Sequence, residues 1–243
     1  MGIHTSHLLE VENVFKSFGG LMAVKKVSLQ VKEGEIRGLI GPNASGKTTL
    51  INLVTGMYKI DEGTIYFGGT RIDGLQPDVI ASMGIMRTFQ ISRIFRDMTV
   101  LENMMVPALS QGQSMQEAQS RAEELLEFGL LSPLKDSLAR NLSGGQNMLL
   151  QIVRGFMNKE LSLYIMDEPF AGVHQSIKGI IINAIKTMNR EKGITFLIIS
   201  HEMTTVSSLC QQISVLNKGE VISQGTMEEV AGDPLVIDAY LGG

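Results

Sequence analysis

The chain has no tryptophan and a single cysteine, Cys210, in 243 residues. One cysteine excludes an internal disulfide and points to a reducing compartment, and the apolar neighbours of Cys210 predict a buried structural thiol instead of a reactive one. No apolar run reaches the roughly 20 residues of a membrane-spanning helix, and Met1-Gly2-Ile3-His4-Thr5 lacks the charged and apolar regions of a signal peptide. Basic charge is not in excess either. The 21 Lys and Arg stand against 25 Asp and Glu, a net charge of −4 that argues against a broad nucleic-acid footprint. There is no internal repeat, low-complexity tract or charge block to suggest disorder. What remains is a globular chain long enough for one large α/β domain or for a domain with a helical insertion.

The most informative segment is Gly41-Pro42-Asn43-Ala44-Ser45-Gly46-Lys47-Thr48-Thr49. An apolar strand-like run, Ile36–Ile40, precedes it, and a helix-like run with Leu50, Ile51, Leu53 and Val54 follows, the context that a phosphate-binding loop requires. Gly41 and Gly46 permit dihedrals closed to other residues, so that successive N–H groups from Gly41 to Thr49 form a cup at the positive end of the following helix. Lys47 supplies a mobile charge for β- and γ-phosphates, and Thr48 a hydroxyl for Mg²⁺. Nucleotide binding follows.

Further candidates lie downstream. Asp167 and Glu168 close an apolar strand (Leu163, Tyr164, Ile165, Met166), where α/β sheets place ligands. Asp167 would face the Mg²⁺ shell, and Glu168 would orient and deprotonate the attacking water. Ser143-Gly144-Gly145-Gln146 precedes an apolar run and reads as a helix capping box, and its two glycines suit exposed N–H groups that grip a γ-phosphate. Both readings hold together. The Gln90 amide oxygen suits Mg²⁺ or the water, His201 suits the γ-phosphate, and Phe18 before two glycines suits stacking on an adenine.

The expected organisation is strands over Leu8–Phe15, Val27–Val31, Ile36–Ile40 and Thr64–Phe67, with turns at Glu33-Gly34 and Asp61-Glu62-Gly63. Residues 97–140 change to helix, with Ala118, Ala122, Leu125 and Leu126 on one face. Leu161–Met166 and Ile194–Ile199, separated by a helix over 176–190, imply a parallel sheet. Short strands at Ile213–Leu216 and Val221–Ile222 and a terminal helix complete the chain.

Taken in order, Phe18, the loop Gly41–Thr48, Gln90, Leu142–Gln146, Asp167-Glu168 and His201 resemble the nucleotide-binding subunit of ATP-binding cassette (ABC) transporters over essentially the whole length. The wording Arg87-Thr88-Phe89-Gln90, Met98-Thr99-Val100-Leu101-Glu102-Asn103 and the ending Val236 to Gly242 is similar to the branched-chain amino-acid importer subfamily. The resemblance implies an α/β fold: a P-loop ATPase core with a mainly parallel sheet, an N-terminal antiparallel β subdomain and an inserted α-helical subdomain. Residues 1–243 would form one such domain, divided at 1–90, 91–155 and 156–243. It further implies ATP and Mg²⁺ as cofactors, a second identical or paralogous ATPase subunit closing head to tail over each ATP, and transmembrane permease subunits docked near Gln90–Met98. The expected place is the cytoplasmic face of the membrane. A soluble cassette acting on nucleic acid or the ribosome, and a binding-only ATP module, are the competing functions. Two departures stand out: Asn147-Met148, where the family usually carries a basic residue, and Ala171-Gly172-Val173-His174, where it usually ends in Asn or Asp.

Overall fold

A computed structural model describes residues 7–241; Met1 to Thr5 and Gly242, read above, lie outside the described residues. Strands β1 (His7–Phe18) and β2 (Leu21–Lys32) form a hairpin closed by Gly19-Gly20, and β3 (Ile36–Ile40) runs into helix α1 (Lys47–Val54). After it come β4 (Glu62–Phe67), β5 (Thr70–Arg71), α2 (Pro77–Ser82) and β6 (Ile85–Arg87). One sheet is antiparallel with the order β2-β1-β4-β5. Its strands are longer than their apolar alternation suggested, because Phe18 pairs with Leu21 directly across the hairpin turn. Glu62 and Gly63 belong to β4 instead of to a turn; the bend lies at Asp61, whose carboxylate accepts from Ser17 N–H at 2.7 Å and from Lys16 Nζ at 2.7 Å.

The helical stretch comprises α3 (Val100–Ser110), α4 (Met115–Phe128) and α5 (Gly144–Gly155). Each starts with a reciprocal capping box, Thr99/Glu102, Ser114/Glu117 and Ser143/Gln146, so each N-terminus satisfies two backbone donors locally. Ala118, Ala122, Leu125 and Leu126 are all buried, as their spacing predicts.

The chain then alternates strand and helix: β7 (Leu163–Asp167), α6 (Gln175–Lys192), β8 (Thr195–Ile199), α7 (Met203–Leu209), β9 (Gln212–Asn217), β10 (Glu220–Gly225), α8 (Met227–Ala231) and α9 (Pro234–Leu241). The second sheet has the order β10-β9-β3-β8-β7-β6, and only β10 pairs antiparallel. Every residue of β3, β7 and β8 is buried, as expected of parallel strands covered on both faces. Alternate residues divide between two cores. Leu39, Ile165 and Leu197 pack with the antiparallel sheet and α1, whereas Ile40, Tyr164 and Phe196 pack with the helices. Cys210 is buried in the helical-side core, and burial pushes its thiol up to about 12, an unreactive group as anticipated.

Candidate functional site

The carboxyl ends of β3, β7 and β8 meet at one open cleft of ≈ 850 Å³. The phosphate loop forms one wall, with Asn43 to Thr49 lining the cleft. Its glycines are sterically required: a Cβ on Gly41 (φ 150°) would stand 2.0 Å from the Leu216 carbonyl, and one on Gly46 (φ 107°) 2.5 Å from the Ala23 carbonyl. Gly41 and Pro42 lie below the lining, as acceptors. Lys47 Nζ donates to Gly41 O and Pro42 O, both at 2.8 Å, and to Ser45 Oγ at 3.3 Å. Burial holds the Lys47 ammonium below its ordinary value against the pull of Glu168 and Asp167. The loop is tied to its surroundings by Gly219 N–H to Ser45 O at 2.9 Å and Lys25 N–H to Gly219 O at 2.7 Å.

The acidic pair stands opposite. Asp167 is 4% exposed, its N–H donates to Thr88 Oγ1 at 3.0 Å, and Arg87 Nη2 lies 3.7 Å from its carboxylate. Burial raises the Asp167 carboxyl above its ordinary range, Arg87 and Lys47 pull it down, and Glu168 pushes it up. Arg87 is fixed by Asn52 Oδ1 at 2.7 Å and Thr55 Oγ1 at 3.2 Å. Glu168 adopts a left-handed conformation (φ 50°), and its N–H donates to Ile199 O at 2.9 Å. His201 Nδ1 lies 2.9 Å from Glu168 Oε2, so His201 meets the site through the carboxylate.

Gln90 and Phe18 line the same cleft. Phe18 packs edge-on to Tyr58 at 5.2 Å, and with Leu21 and Met22 it makes an exposed apolar mouth. Leu21, Met22, Lys25 and Lys218 also line the cleft and were not evident from sequence, since they come from β2 and the β9–β10 turn, remote from the loop in the chain. Another residue missed is Gln151. Its Oε1 accepts from Arg93 N–H at 3.0 Å and its Nε2 donates to Phe89 O at 3.0 Å, which pins the segment around Gln90 to α5. The available signal was a glutamine inside the apolar run Leu149 to Val153.

Ser143, Gly144, Gly145 and Gln146 do not line the cleft. They form the capped start of α5, with Ser143 and Gly144 exposed and Gly145 buried: Gln146 Oε1 accepts from Ser143 N–H at 2.9 Å, and Ser143 Oγ from Gln146 N–H at 3.3 Å. Of the two departures, Asn147 donates to Leu142 O at 3.5 Å and leaves its Oδ1 buried without a partner. His174 caps α6, its Nδ1 accepting from Ser176 N–H at 3.4 Å and sharing a 2.9 Å hydrogen bond with Ser176 Oγ. It thereby does the capping work of an Asn or Asp.

Residues 24–171 match the family model described as ABC transporter, and residues 220–243 match that described as branched-chain amino acid ATP-binding cassette transporter. The chain belongs to the ABC transporter family. It is 38% identical to the probable branched-chain amino acid transport ATP-binding protein LivG of Archaeoglobus fulgidus, over 97% of this chain and 95% of that protein. Among solved structures, the ADP conformation of an ATP-binding cassette of an ABC transporter superimposes with TM-score 0.86 at 37% identity, covering 98% of this chain and 100% of that one. A dimeric post-hydrolysis cassette bound to ADP and Pi aligns with TM-score 0.82 at 27% identity, covering 90% of this chain and 98% of that one.

As an ABC cassette the chain is an ATPase that binds ATP, and the donors around the cleft fit a hard cation. Thr48, Gln90 and Asp167 offer oxygen alone, and among the described residues no cluster of three His, Cys, Asp or Glu could hold a metal by itself. Such a set suits Mg²⁺, which takes few protein ligands beside phosphate oxygens and its own waters.

Proposed function

We propose that the chain is the peripheral ATPase subunit of an importer for branched-chain or related amino acids, working as one of two cassettes that close over ATP. The observation that carries this reading is a division of labour. Lys47, Thr48, Gln90, Asp167 and Glu168 converge on one cleft, whereas the capped start of α5 is not part of its lining. On this reading each surface carries half of an ATP site, and a second chain, identical or paralogous, completes it head to tail. In that arrangement Ser143 to Gln146 of one subunit face the γ-phosphate held by residues 41–49 of the other.

Within each site Phe18 supports the adenine, Asn43 to Thr49 cradle the phosphates, and Lys47 compensates charge between β- and γ-phosphate. Thr48, Asp167 and Gln90 would hold Mg²⁺, which would supply positive charge against the phosphate groups. Glu168 takes a proton from the attacking water while His201 orients its carboxylate. Residues 91–155 act as the part that transmits closure to permease subunits. Among the described residues no helix is long and apolar enough to cross a membrane, so attachment falls to surface side chains such as Ile91 and Phe95 on the cytoplasmic face. The names of the relatives and the C-terminal family match support the choice of amino acid.

The test is purification with the membrane subunits, followed by uptake of labelled leucine into vesicles loaded with Mg-ATP. Wild-type chain should support uptake, and Lys47→Ala should abolish both hydrolysis and uptake. Uptake that survives Lys47→Ala, or a copurifying partner without membrane spans, would overturn the reading.

A further inference from the structure

Glu202 stands at the N-cap of α7 yet its side chain makes no capping bond, although a carboxylate there suits the free N–H groups of a helix start. Its carboxylate oxygens instead accept from Lys178 Nζ, near the start of α6, at 2.7 Å and 2.8 Å, and Thr205 Oγ1 donates to the same group at 3.2 Å. Both side chains are largely shielded, Lys178 at 17% exposure and Glu202 at 23%. An exposed ion pair contributes little, whereas a shielded pair joined at two points restrains both elements that carry it. Lys178 is a misfit on its own helix, because a cation near a helix N-terminus opposes the helix dipole and the first turn of α6 holds no acidic residue to offset it. A residue that breaks a local rule points to a compensating contact elsewhere. Here that contact is Glu202.

His201 lies between this clamp and the end of β8. On one side Ser200 is fully buried, and its Oγ accepts from Glu202 N–H at 3.0 Å. The His201 side chain is 59% exposed, and among the described residues its hydrogen bond is the one to Glu168 at 2.9 Å. The flanking backbone therefore sets where the ring points. Glu168 reaches α6 by another route: Ala171 N–H donates to Glu168 O and Val173 N–H to Phe170 O, both at 3.2 Å, in the turn that runs into His174 and the helix. So α6 holds both ends of the Glu168–His201 pair, one through the chain and one through Lys178. We propose that Lys178 is a positioning residue for hydrolysis: by clamping Glu202 to α6 it fixes the loop that carries His201, and with it the placement of the imidazole against the Glu168 carboxylate. The inference rests on Glu168 acting as the base with His201 orienting it.

The experiment compares Lys178→Met, Lys178→Arg, Glu202→Ala, His201→Ala and the double variant Lys178→Met/His201→Ala for kcat and KM for ATP, well below every melting midpoint, together with amide exchange at Glu202. Lys178→Met and Glu202→Ala break the clamp from opposite sides, so a folding defect in one leaves the other as the test. Each should lower kcat about tenfold, the scale of one charge-assisted hydrogen bond lost, with KM changed less than about twofold. Exchange at the Glu202 N–H should accelerate in Lys178→Met. Lys178→Arg can still meet the carboxylate at two points and should keep kcat within about threefold of wild type. Because Lys178 acts through His201, adding Lys178→Met to His201→Ala should slow turnover no further. Wild-type kcat in both clamp variants, a loss in Lys178→Arg as large as in Lys178→Met, or an undiminished loss on top of His201→Ala would each overturn the proposal while leaving Glu168 and His201 in their roles. A His201→Ala chain that turns over at the wild-type rate would instead remove the orienting histidine, and the proposal with it.

Discussion

His201 Nδ1 and Glu168 Oε2 lie 2.9 Å apart although 33 positions separate them in the chain. The contact depends on an unusual backbone. Glu168 follows the last residue of β7 with φ 50°, a left-handed conformation that costs a non-glycine residue about 1–3 kcal/mol and is retained where surrounding structure enforces it. Its N–H is held by Ile199 O on β8, the strand that leads into His201. The turn thus directs the carboxylate into the cleft, and the histidine fixes its orientation.

Glu168→Gln preserves size and hydrogen bonding but removes the proton acceptor. ATP affinity should be retained, while the chemical step slows by roughly 10²–10⁴-fold. In the proposed cycle closure precedes hydrolysis, so the variant should accumulate as an ATP-bound dimer, seen by light scattering with Mg-ATP and absent without it. Wild-type turnover would strip Glu168 of its role; an inactive, ATP-binding monomer would count against the two-chain site.

Asp167→Asn should stabilise the protein and impair it. Because burial raises this carboxyl, the folded chain holds the proton more tightly than the unfolded one, and ionisation at neutral pH costs stability. That cost is fully present above the raised folded value and disappears as pH falls toward the ordinary carboxylate value of about 3.9. The variant should therefore melt above wild type near neutral pH, by a margin that shrinks to nothing as the pH is lowered through this window. Arg87 keeps Asn52 and Thr55 as partners, which limits the loss from its loose 3.7 Å pair. Mg²⁺-dependent turnover should fall on the order of 10²-fold or more. A margin independent of pH would refute the argument.

Phe95→Ala should detach the protein from the proposed permease partner without unfolding it. Ile91 is 85% exposed and Phe95 49%, while the Phe95 backbone is gripped in both directions by buried Asn103, at 2.8 Å and 2.9 Å, so truncating the ring leaves the loop anchored. The melting midpoint should correspond to a change within about 0.5 kcal/mol and basal ATPase should persist, whereas affinity for the membrane subunits should drop by about 2 kcal/mol or more, the scale of an interface hot spot. A large stability loss would instead make Phe95 a core residue. Ile94 and Met98, in the segment where the resemblance places the permease contact, are partly buried, and Ile94 packs on the helical-side core.

Gln151→Leu should loosen the Gln90 segment. The replacement fits the apolar surroundings of α5 but strands Arg93 N–H and Phe89 O. Stability should fall by about 1 kcal/mol, the low end of the cost of an unpaired group, because Phe89 is half-buried and Arg93 exposed. Amide exchange at Arg93 should accelerate, and kcat should drop more than ATP affinity. Unchanged protection at Arg93 would show that the clamp is not what orders the segment.

Local physics made much of this protein legible in its sequence. The phosphate loop is a run of consecutive residues whose function follows from its own backbone dihedrals and the helix after it. The Ser143/Gln146 cap spans three positions, and the Ala118 to Leu126 stripe is a helical period. Each is written within a few residues, so each could be read without knowing what lies across the fold. The apolar runs of β7 and β8, with a helix between them, likewise announced a parallel sheet.

Tertiary structure decided the rest, because it sets distances between residues that no local pattern relates. The short elements β5, β6, α2, α7 and α8 were not legible. Ile85 to Arg87 is a strand because β7 pairs with it, since three residues are too few to display a period. The same holds for the chemistry: Glu168 beside His201, Arg87 between Asn52 and Asp167, and Gln151 on Phe89 and Arg93. Sequence determined which groups the site contains; the order of strands and the packing of α5 against them determined which groups hold one another in place.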